Sequence, residues 1–108
     1  MDIRFWNSRS IRNKTTALNA YVAQNDVDAV FIVEAWLAPN DPVVIRGLQP
    51  GGYSFFNIAR GTSNHGGIGL LSKSQLGFRL QSLSLFTVTF EHACILDPNH
   101  GVHYIIVY

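Results

Sequence analysis

The stretch DAVFIVEAWL, residues 28–37, decides how the rest of the chain is interpreted. It contains five apolar residues in a row, from Ala29 to Val33, without alternation between apolar and polar side chains. A short continuous apolar run of this kind is typical of a strand buried on both faces, as in the centre of a layered sheet. Glu34 follows at once, so the sequence places a carboxylate where a buried strand ends.

Glu34 needs a physical explanation, because an ionised carboxylate in an apolar setting either costs free energy or has a raised pKa. Three arrangements would satisfy it. The carboxylate could face water at the carboxyl end of the strand, or it could pair with an arginine. It could also bind a hard cation such as Mg²⁺, which takes one or two carboxylates and keeps its other positions for water and phosphate. The residue alone leaves all three open.

The patterns around this strand predict an α/β fold. A strand over 3–7 and a helix over 13–25 come before it, and Asn13 is the expected N-cap of that helix. Leu18, Tyr21 and Val22 fall on one helix face. Further strands are predicted over 53–60, 68–73, 76–83, 85–96 and 103–108, with loops over 38–42 and 61–67 and a turn over 97–101.

Composition indicates one globular domain. The chain has 108 residues, of which 47% are hydrophobic and 14% charged, and its net charge of +1 creates no overall field toward nucleic acid or membrane. No segment is apolar over the length of a membrane span, and the start of the chain lacks the apolar stretch of a secretory signal. Cys94, the single cysteine, is expected to be a buried structural thiol. These features favour an intracellular, reducing compartment without membrane association.

Five segments occur in a characteristic order: FWNSRSIRNK, DVDAVFIVEAWL, GGYSFFNIAR, HGGIGLLSK and HYIIVY. Together they resemble the endonuclease/exonuclease/phosphatase superfamily, the fold of deoxyribonuclease I and the apurinic endonucleases. The likeness is to the N-terminal endonuclease domain of non-LTR retrotransposon polyproteins in particular. That domain shows an N-A-R-S-I-x-N-K-like opening, a D-I-x-x-x-x-E-T/S-W-L segment and a G-G-G-V-A strand.

The resemblance implies a fold and a reaction. The fold is the N-terminal part of a four-layer α/β sandwich, with two packed mixed β-sheets and outer helices. Residues 1–108 are then expected to be a partial domain truncated at its C-terminus, in keeping with a sequence that stops within an apolar strand. The implied reaction is hydrolysis of a DNA phosphodiester with Mg²⁺ or Mn²⁺, in the nucleus if the chain is part of a retrotransposon protein. Two alternatives are a phosphatase acting on a small phosphoester or lipid headgroup, and a non-catalytic remnant or binding module.

The resemblance also implies roles for particular residues. Asn7 matches an asparagine that helps to hold the metal and the scissile phosphate, and Glu34 matches the metal-binding glutamate. Tyr108 matches an aromatic residue that can contact the phosphate. Arg60 and the run Gly66–Gly69 match a strand-loop-strand region in which close backbone packing needs glycine, so their expected role is structural. The basic residues Arg4, Arg9, Arg12 and Lys14 form either a solvated face or, under this resemblance, a surface facing the DNA phosphate backbone.

The chain departs from the family pattern in two ways. Ala35 stands where the family has Thr or Ser, which removes a hydroxyl beside the glutamate. The family's later Asp-x-Asn residues and its aspartate–histidine pair, which serves the attacking water, do not occur after the last strand. Four histidines could replace this pair, but none has the spacing of a metal site or of a catalytic triad: His65, His92, His100 and His103. The expectation is therefore that these 108 residues alone are inactive.

Overall fold

The computed structural model describes residues 1–35, 47, 50–58, 67–81 and 92–107. Its strands are β1 (Ile3–Asn7), β2 (Ala29–Val33), β3 (Tyr53–Ile58), β4 (Ile68–Lys73), β5 (Arg79–Gln81), β6 (His92–Asp97) and β7 (Val102–Val107). Its helices are α1 (Thr15–Gln24) and a 3₁₀ turn (Ser74–Leu76). No helix in these ranges is long and apolar enough to cross a membrane.

Four strands form the first sheet, in the order β1-β2-β4-β3. β1 runs parallel to β2, while β2 and β3 each pair antiparallel with β4. All five side chains of β2 are buried, which confirms the prediction made from its unbroken apolar run. The first sheet is therefore mixed, with the strand that leads to Glu34 at its centre.

Different elements cover the two faces of β2. Leu18 and Val22 of α1 pack on Val30 and Ile32. On the opposite face Phe31 packs against the second sheet, whose strands follow the order β5-β6-β7 and are antiparallel. The described residues thus form a helix layer and two packed sheets, which confirms the predicted α/β sandwich. Only the first sheet is mixed among the described strands, whereas the sequence predicted two mixed sheets.

The predicted start of the helix is wrong. Lys14, not Asn13, occupies the N-cap position, and no side chain caps the helix. The cause is a turn that precedes α1, in which the Lys14 backbone nitrogen donates to the Ile11 oxygen and the Lys14 Nζ donates to the Ser8 carbonyl. This turn leaves Asn13 exposed ahead of the helix.

Two other predictions need correction. Leu18 and Val22 are buried, but Tyr21, predicted to share their helix face, is 42% exposed, and its ring lies beneath the Arg4 guanidinium. The strand predicted over 76–83 begins at Arg79, since the chain first makes the 3₁₀ turn and then passes Gly77, whose φ of +64° ends it. The predicted loop over 38–42 and most of the loop over 61–67 lie outside the described residues, as do residues 85–91 of the strand predicted over 85–96.

Candidate functional site

The ends of two parallel strands bring Asn7 and Glu34 to one edge of the first sheet. Asn7 is the last residue of β1 and pairs in register with Val33, the last residue of β2. Glu34 follows Val33 directly. Asn7 is exposed and Glu34 is half-buried, so both side chains have access to solvent at this edge. Ligands of layered α/β sheets commonly bind at the carboxyl ends of strands.

The backbone of Glu34 is left-handed, with a φ of +54°. Such a conformation is uncommon for a residue other than glycine and persists only where the surroundings hold it. Here two donors converge on the Glu34 carbonyl oxygen: the Ser10 backbone nitrogen at 2.8 Å and the Ser8 Oγ at 3.1 Å. The next residue is fixed as well, because the Ala35 nitrogen donates to the Gly67 oxygen at 3.2 Å.

The segment that supplies these donors is itself strained. Arg9 and Ser10, which follow β1, have φ values of +47° and +82°. Beyond them the Ile11 nitrogen donates to the Ala35 oxygen at 3.3 Å, so the segment runs alongside the chain that leaves β2. These two consecutive left-handed residues turn the β1–α1 connection toward the chain that leaves β2, and the exposed Arg9 lies two residues after Asn7.

The Glu34 carboxylate has the chemistry of a ligand for a hard cation. Its oxygens and the amide oxygen of Asn7 are donors of the kind that Mg²⁺ prefers. No ion pair to Glu34 is formed within the described residues, so the arginine-paired arrangement is not what these residues show. The same residues contain no cluster of three or more acidic, histidine or cysteine side chains that could hold a metal. Asn7 and Glu34 therefore fit part of a cation site, which water and a phosphate oxygen would complete.

Two other carboxylates near the first sheet form ion pairs with a lysine side chain. Lys73 Nζ lies 2.7 Å from the Asp26 carboxylate and 3.1 Å from that of Asp28. The Asp2 backbone nitrogen also donates to Asp28 at 2.7 Å, and this hydrogen bond together with Lys73 lowers the pKa of Asp28. These groups lie at the opposite end of β2 from Glu34, and their contacts are those of a structural ion-pair network.

The remaining predicted site residues have mixed outcomes. Tyr108, Arg60, Gly66 and His65 lie outside the described residues, so their predicted roles stay predictions. Gly69 is in β4 against the ring of Phe55, in the close packing expected of it. In the second sheet Cys94 is buried, which confirms the prediction made for it, and His92 is half-buried.

Sequence analysis missed a carboxylate–histidine pair in the turn between β6 and β7. Asp97 is fully buried, and its Oδ2 lies 2.6 Å from the Nδ1 of His100. Burial raises the pKa of Asp97, but hydrogen bonds from His100 and from the Asn99 backbone nitrogen outweigh burial, so the pKa is lowered overall. Asn99 also bonds to the Leu76 oxygen, beyond the end of β4, whereas Glu34 lies near the start of β4. The pair is therefore at the opposite end of the sandwich and stabilises a turn.

Ser8 is the other residue that sequence analysis missed. It is a buried serine that follows an edge strand, with 2% of its surface exposed. The sequence could have indicated it. When β1 and β2 are aligned as parallel neighbours, the polar residue one place after Asn7 lies beside Glu34.

Comparisons with known proteins agree with this architecture. The sequence profile of the Endonuclease/Exonuclease/phosphatase family matches residues 5–108. A search of curated proteins gave no match. An AP endonuclease from Archaeoglobus fulgidus has a similar structure, with a TM-score of 0.69 and 16% identity over 100% of this chain and 41% of its own. The 3′ phosphatase NExo from Neisseria, bound to a product DNA hairpin, has a TM-score of 0.70 and 18% identity over 100% of this chain and 41% of its own.

A more distant match is TDP2 from D. rerio in complex with a single-strand DNA product, with a TM-score of 0.52 and 15% identity over 95% of this chain and 42% of its own. The chain thus spans about two fifths of the length of these solved structures. At such identities the structural likeness shows the fold, while the profile covers nearly all of the sequence. This chain belongs to the endonuclease/exonuclease/phosphatase family.

Proposed function

We propose that this chain supplies one half of a phosphodiester-cleaving site that acts on DNA with Mg²⁺ or Mn²⁺. The observation that carries the proposal is the meeting of Asn7 and Glu34 at the ends of neighbouring parallel strands, with Glu34 held in a left-handed conformation. Backbone strain concentrates at functional sites, where it is part of how a side chain is presented. The other buried or half-buried carboxylates of the described residues, Asp2, Asp28 and Asp97, are ion-paired, whereas Glu34 forms no ion pair with a described residue.

The two side chains have complementary roles in this proposal. Glu34 would hold the cation by its carboxylate, and a bound cation would supply polarisation of a phosphate oxygen and positive charge during hydrolysis. Asn7 orients the phosphate with its amide N–H groups and adds no negative charge to repel it. The exposed Arg9 and Arg12 lie in the segment that follows Asn7, where they would face the DNA phosphate backbone.

Two statements are more specific than the family assignment. We propose a retrotransposon-type endonuclease, on the basis of the NSRSIRNK opening and the VEAWL segment, and this would place the protein in the nucleus. The group that activates water would come from outside residues 1–108. A phosphatase is the second candidate, since one solved structure of similar fold is a 3′ phosphatase.

Metal binding tests the central step. Mn²⁺ titrated into ¹⁵N-labelled chain should broaden the amide signals of residues next to Asn7 and Glu34 first, because Mn²⁺ is paramagnetic and follows Mg²⁺ in its oxygen ligands. Glu34→Gln should remove this selective broadening, while Asp26→Asn, which alters an exposed carboxylate at the other end of β2, should leave it unchanged. Broadening that persists in Glu34→Gln would refute the proposed site.

Substrate class is tested separately, in a protein where residues 1–108 are followed by the remaining part of a family domain. Nicking of supercoiled plasmid supports the endonuclease, whereas release of phosphate from a 3′-phosphorylated oligonucleotide or a small phosphoester supports the phosphatase. If neither activity is detected while Mn²⁺ binding is unaltered, the result would favour a non-catalytic remnant.

A further inference from the structure

The side chain of Ser8 is a buried polar group beside the candidate site. Its Oγ lies 3.1 Å from the carbonyl oxygen of Glu34 and 3.4 Å from that of Val33, while its backbone nitrogen donates to Val33 at 3.1 Å. A serine hydroxyl has one hydrogen to donate, so the two carbonyl oxygens share it or compete for it. The shorter contact is to Glu34, the residue with the left-handed backbone.

The position of these contacts matters more than their number. Hydrogen bonds to the Glu34 carbonyl fix the plane of the peptide that follows its Cα, and the parallel pairing of β1 with β2 fixes the residue before it. With both sides held, the Cα–Cβ bond of Glu34 has one direction. If Glu34 relaxed to an extended backbone, its Cα–Cβ bond would point in a different direction, because successive Cβ atoms of a strand alternate between the two faces of the sheet.

We propose that Ser8 is a positioning residue for Glu34: its hydroxyl holds the left-handed backbone and so presents the carboxylate to a divalent cation at the sheet edge. The proposal rests on the proposed function, in which Glu34 binds that cation. The competing interpretation is that the hydroxyl only satisfies a buried carbonyl and contributes to stability alone. The two interpretations differ in what loss of the hydroxyl does to Glu34.

The experiment uses the 108-residue chain and three substitutions: Ser8→Ala removes the hydroxyl, Ser8→Thr keeps it, and Ser54→Ala is the matched control. Ser54 bonds to Ser74 through its hydroxyl in an exposed pair, away from Glu34. Each variant is titrated with Mn²⁺ by the broadening assay, and the backbone of Glu34 is followed by its Cα and Cβ chemical shifts and its three-bond HN–Hα coupling.

We expect Ser8→Ala to weaken Mn²⁺ binding about three- to tenfold, the range that loss of one hydrogen bond allows. The Glu34 shifts should move away from left-handed values in this variant, and Ser8→Thr should restore both readouts. Ser54→Ala should change neither. If Ser8→Ala only lowers the unfolding midpoint and leaves the Mn²⁺ affinity and the Glu34 shifts as they are, the proposal is overturned.

Failure of the proposed function would look different. If Glu34→Gln leaves Mn²⁺ binding unchanged, Glu34 is not the ligand, and both the site and a role for Ser8 toward a cation are refuted. The Glu34 shifts in Ser8→Ala still report whether the hydroxyl holds the backbone. If Ser8→Ala does not fold, Ser8→Cys, which is close in size and a weaker donor, takes its place.

Discussion

Gly69 lies directly against the ring of Phe55. A Cβ atom at position 69 would stand 2.7 Å from Cζ and 2.9 Å from Cε2 of that ring, well inside van der Waals contact. Phe55 is itself buried between the first sheet and α1, so its ring has little room to withdraw. Gly69, the second residue of β4, therefore allows an aromatic side chain of β3 to cross the neighbouring strand.

This contact predicts a cost for adding one methyl group. Gly69→Ala should lower the free energy of unfolding by about 1–3 kcal/mol, the usual penalty for overpacking a core. Gly51→Ala is the control, because an added Cβ there meets no described atom within 4 Å and the backbone is not left-handed. Urea unfolding followed by circular dichroism measures both. Equal stability of the two variants would show that the ring moves aside at no cost.

The turn between β6 and β7 predicts a loss of stability in acid. The pKa of Asp97 is lowered in the folded state. The ionised carboxylate therefore adds to the free energy of unfolding above the ordinary aspartate pKa of about 3.9, and this gain is lost as the pH falls through the lower folded pKa. Asp97→Asn removes this titration while an amide oxygen can still accept from the turn. The unfolding midpoint of Asp97→Asn should therefore fall less than that of the parent between pH 5 and pH 2.

The control for this experiment is Asp26→Asn, since the Asp26 carboxylate is 86% exposed. Asp28, whose pKa is lowered by the Asp2 backbone hydrogen bond and by Lys73, keeps some acid sensitivity in all variants. A parent curve and an Asp97→Asn curve that run parallel would mean that Asp97 has the same pKa in the folded and unfolded chain.

Much of the fold follows from local patterns. The unbroken apolar run of β2 required burial on both faces, and the alignment of Asn7 with the end of β2 followed from a strand–helix–strand connection. The start of α1 did not follow, because a lysine side chain reaches back to Ser8 and sets the turn before the helix. A tertiary contact of that kind leaves no periodic pattern in the sequence from which it could be predicted.

The candidate site was predictable only in part. Glu34 and Asn7 could be placed from strand ends, but the left-handed backbone of Glu34 could not, since nothing about a glutamate indicates a positive φ. The family resemblance implies a hydroxyl directly after the glutamate, where this chain has Ala35. The structure has a hydroxyl on the neighbouring strand connection instead, at Ser8.

Exposed apolar side chains on β1 and β7 predict self-association. Phe5 is 61% exposed and Ile105 is 57% exposed, and each lies on a strand that pairs on one side only within the described sheets. Unpaired edges with apolar side chains are templates for pairing between chains. The 108-residue chain should therefore sediment partly as dimers or larger species at micromolar concentration.

Charged substitutions at these two positions test the cause. Phe5→Lys with Ile105→Lys should increase the monomer fraction in sedimentation velocity, because charges on an edge oppose pairing. Ala23→Lys, on the exposed side of α1, adds a lysine without touching either edge and should leave the distribution as it was. A monomeric parent chain would contradict the prediction outright.

Tyr108 is predicted to contact the phosphate, as the family resemblance implies. In a protein where residues 1–108 are followed by the rest of a family domain, Glu34→Ala should abolish cleavage of plasmid DNA. Tyr108→Phe should reduce the rate about 10- to 150-fold, since it removes one donor to a charged oxygen, an interaction of about 1.5–3 kcal/mol. Tyr104→Phe, in β7, is the control. A Tyr108→Phe enzyme with the parental rate would exclude this role.

The last prediction separates the two roles of Asn7. Asn7→Asp keeps the size of the side chain and adds a negative charge at the end of β1, beside Val33 and one residue from Glu34. A second carboxylate should strengthen Mn²⁺ binding, because hard cations favour charged oxygen ligands. It should also lose the N–H donors and repel the phosphate, so the rate of cleavage should fall although the metal binds more tightly. Asn7→Ala should lower the rate without the gain in affinity.

The two measurements are the Mn²⁺ titration of the 108-residue chain and the plasmid nicking rate at saturating Mn²⁺. Asn25→Asp provides the charge-matched control, since Asn25 caps the far end of α1 through the Tyr21 carbonyl and lies away from the sheet edge. If Asn7→Asp binds Mn²⁺ no better than Asn7→Ala, Asn7 does not share a cation with Glu34. If it binds better and also cleaves faster, Asn7 serves the metal alone and has no part in holding the phosphate.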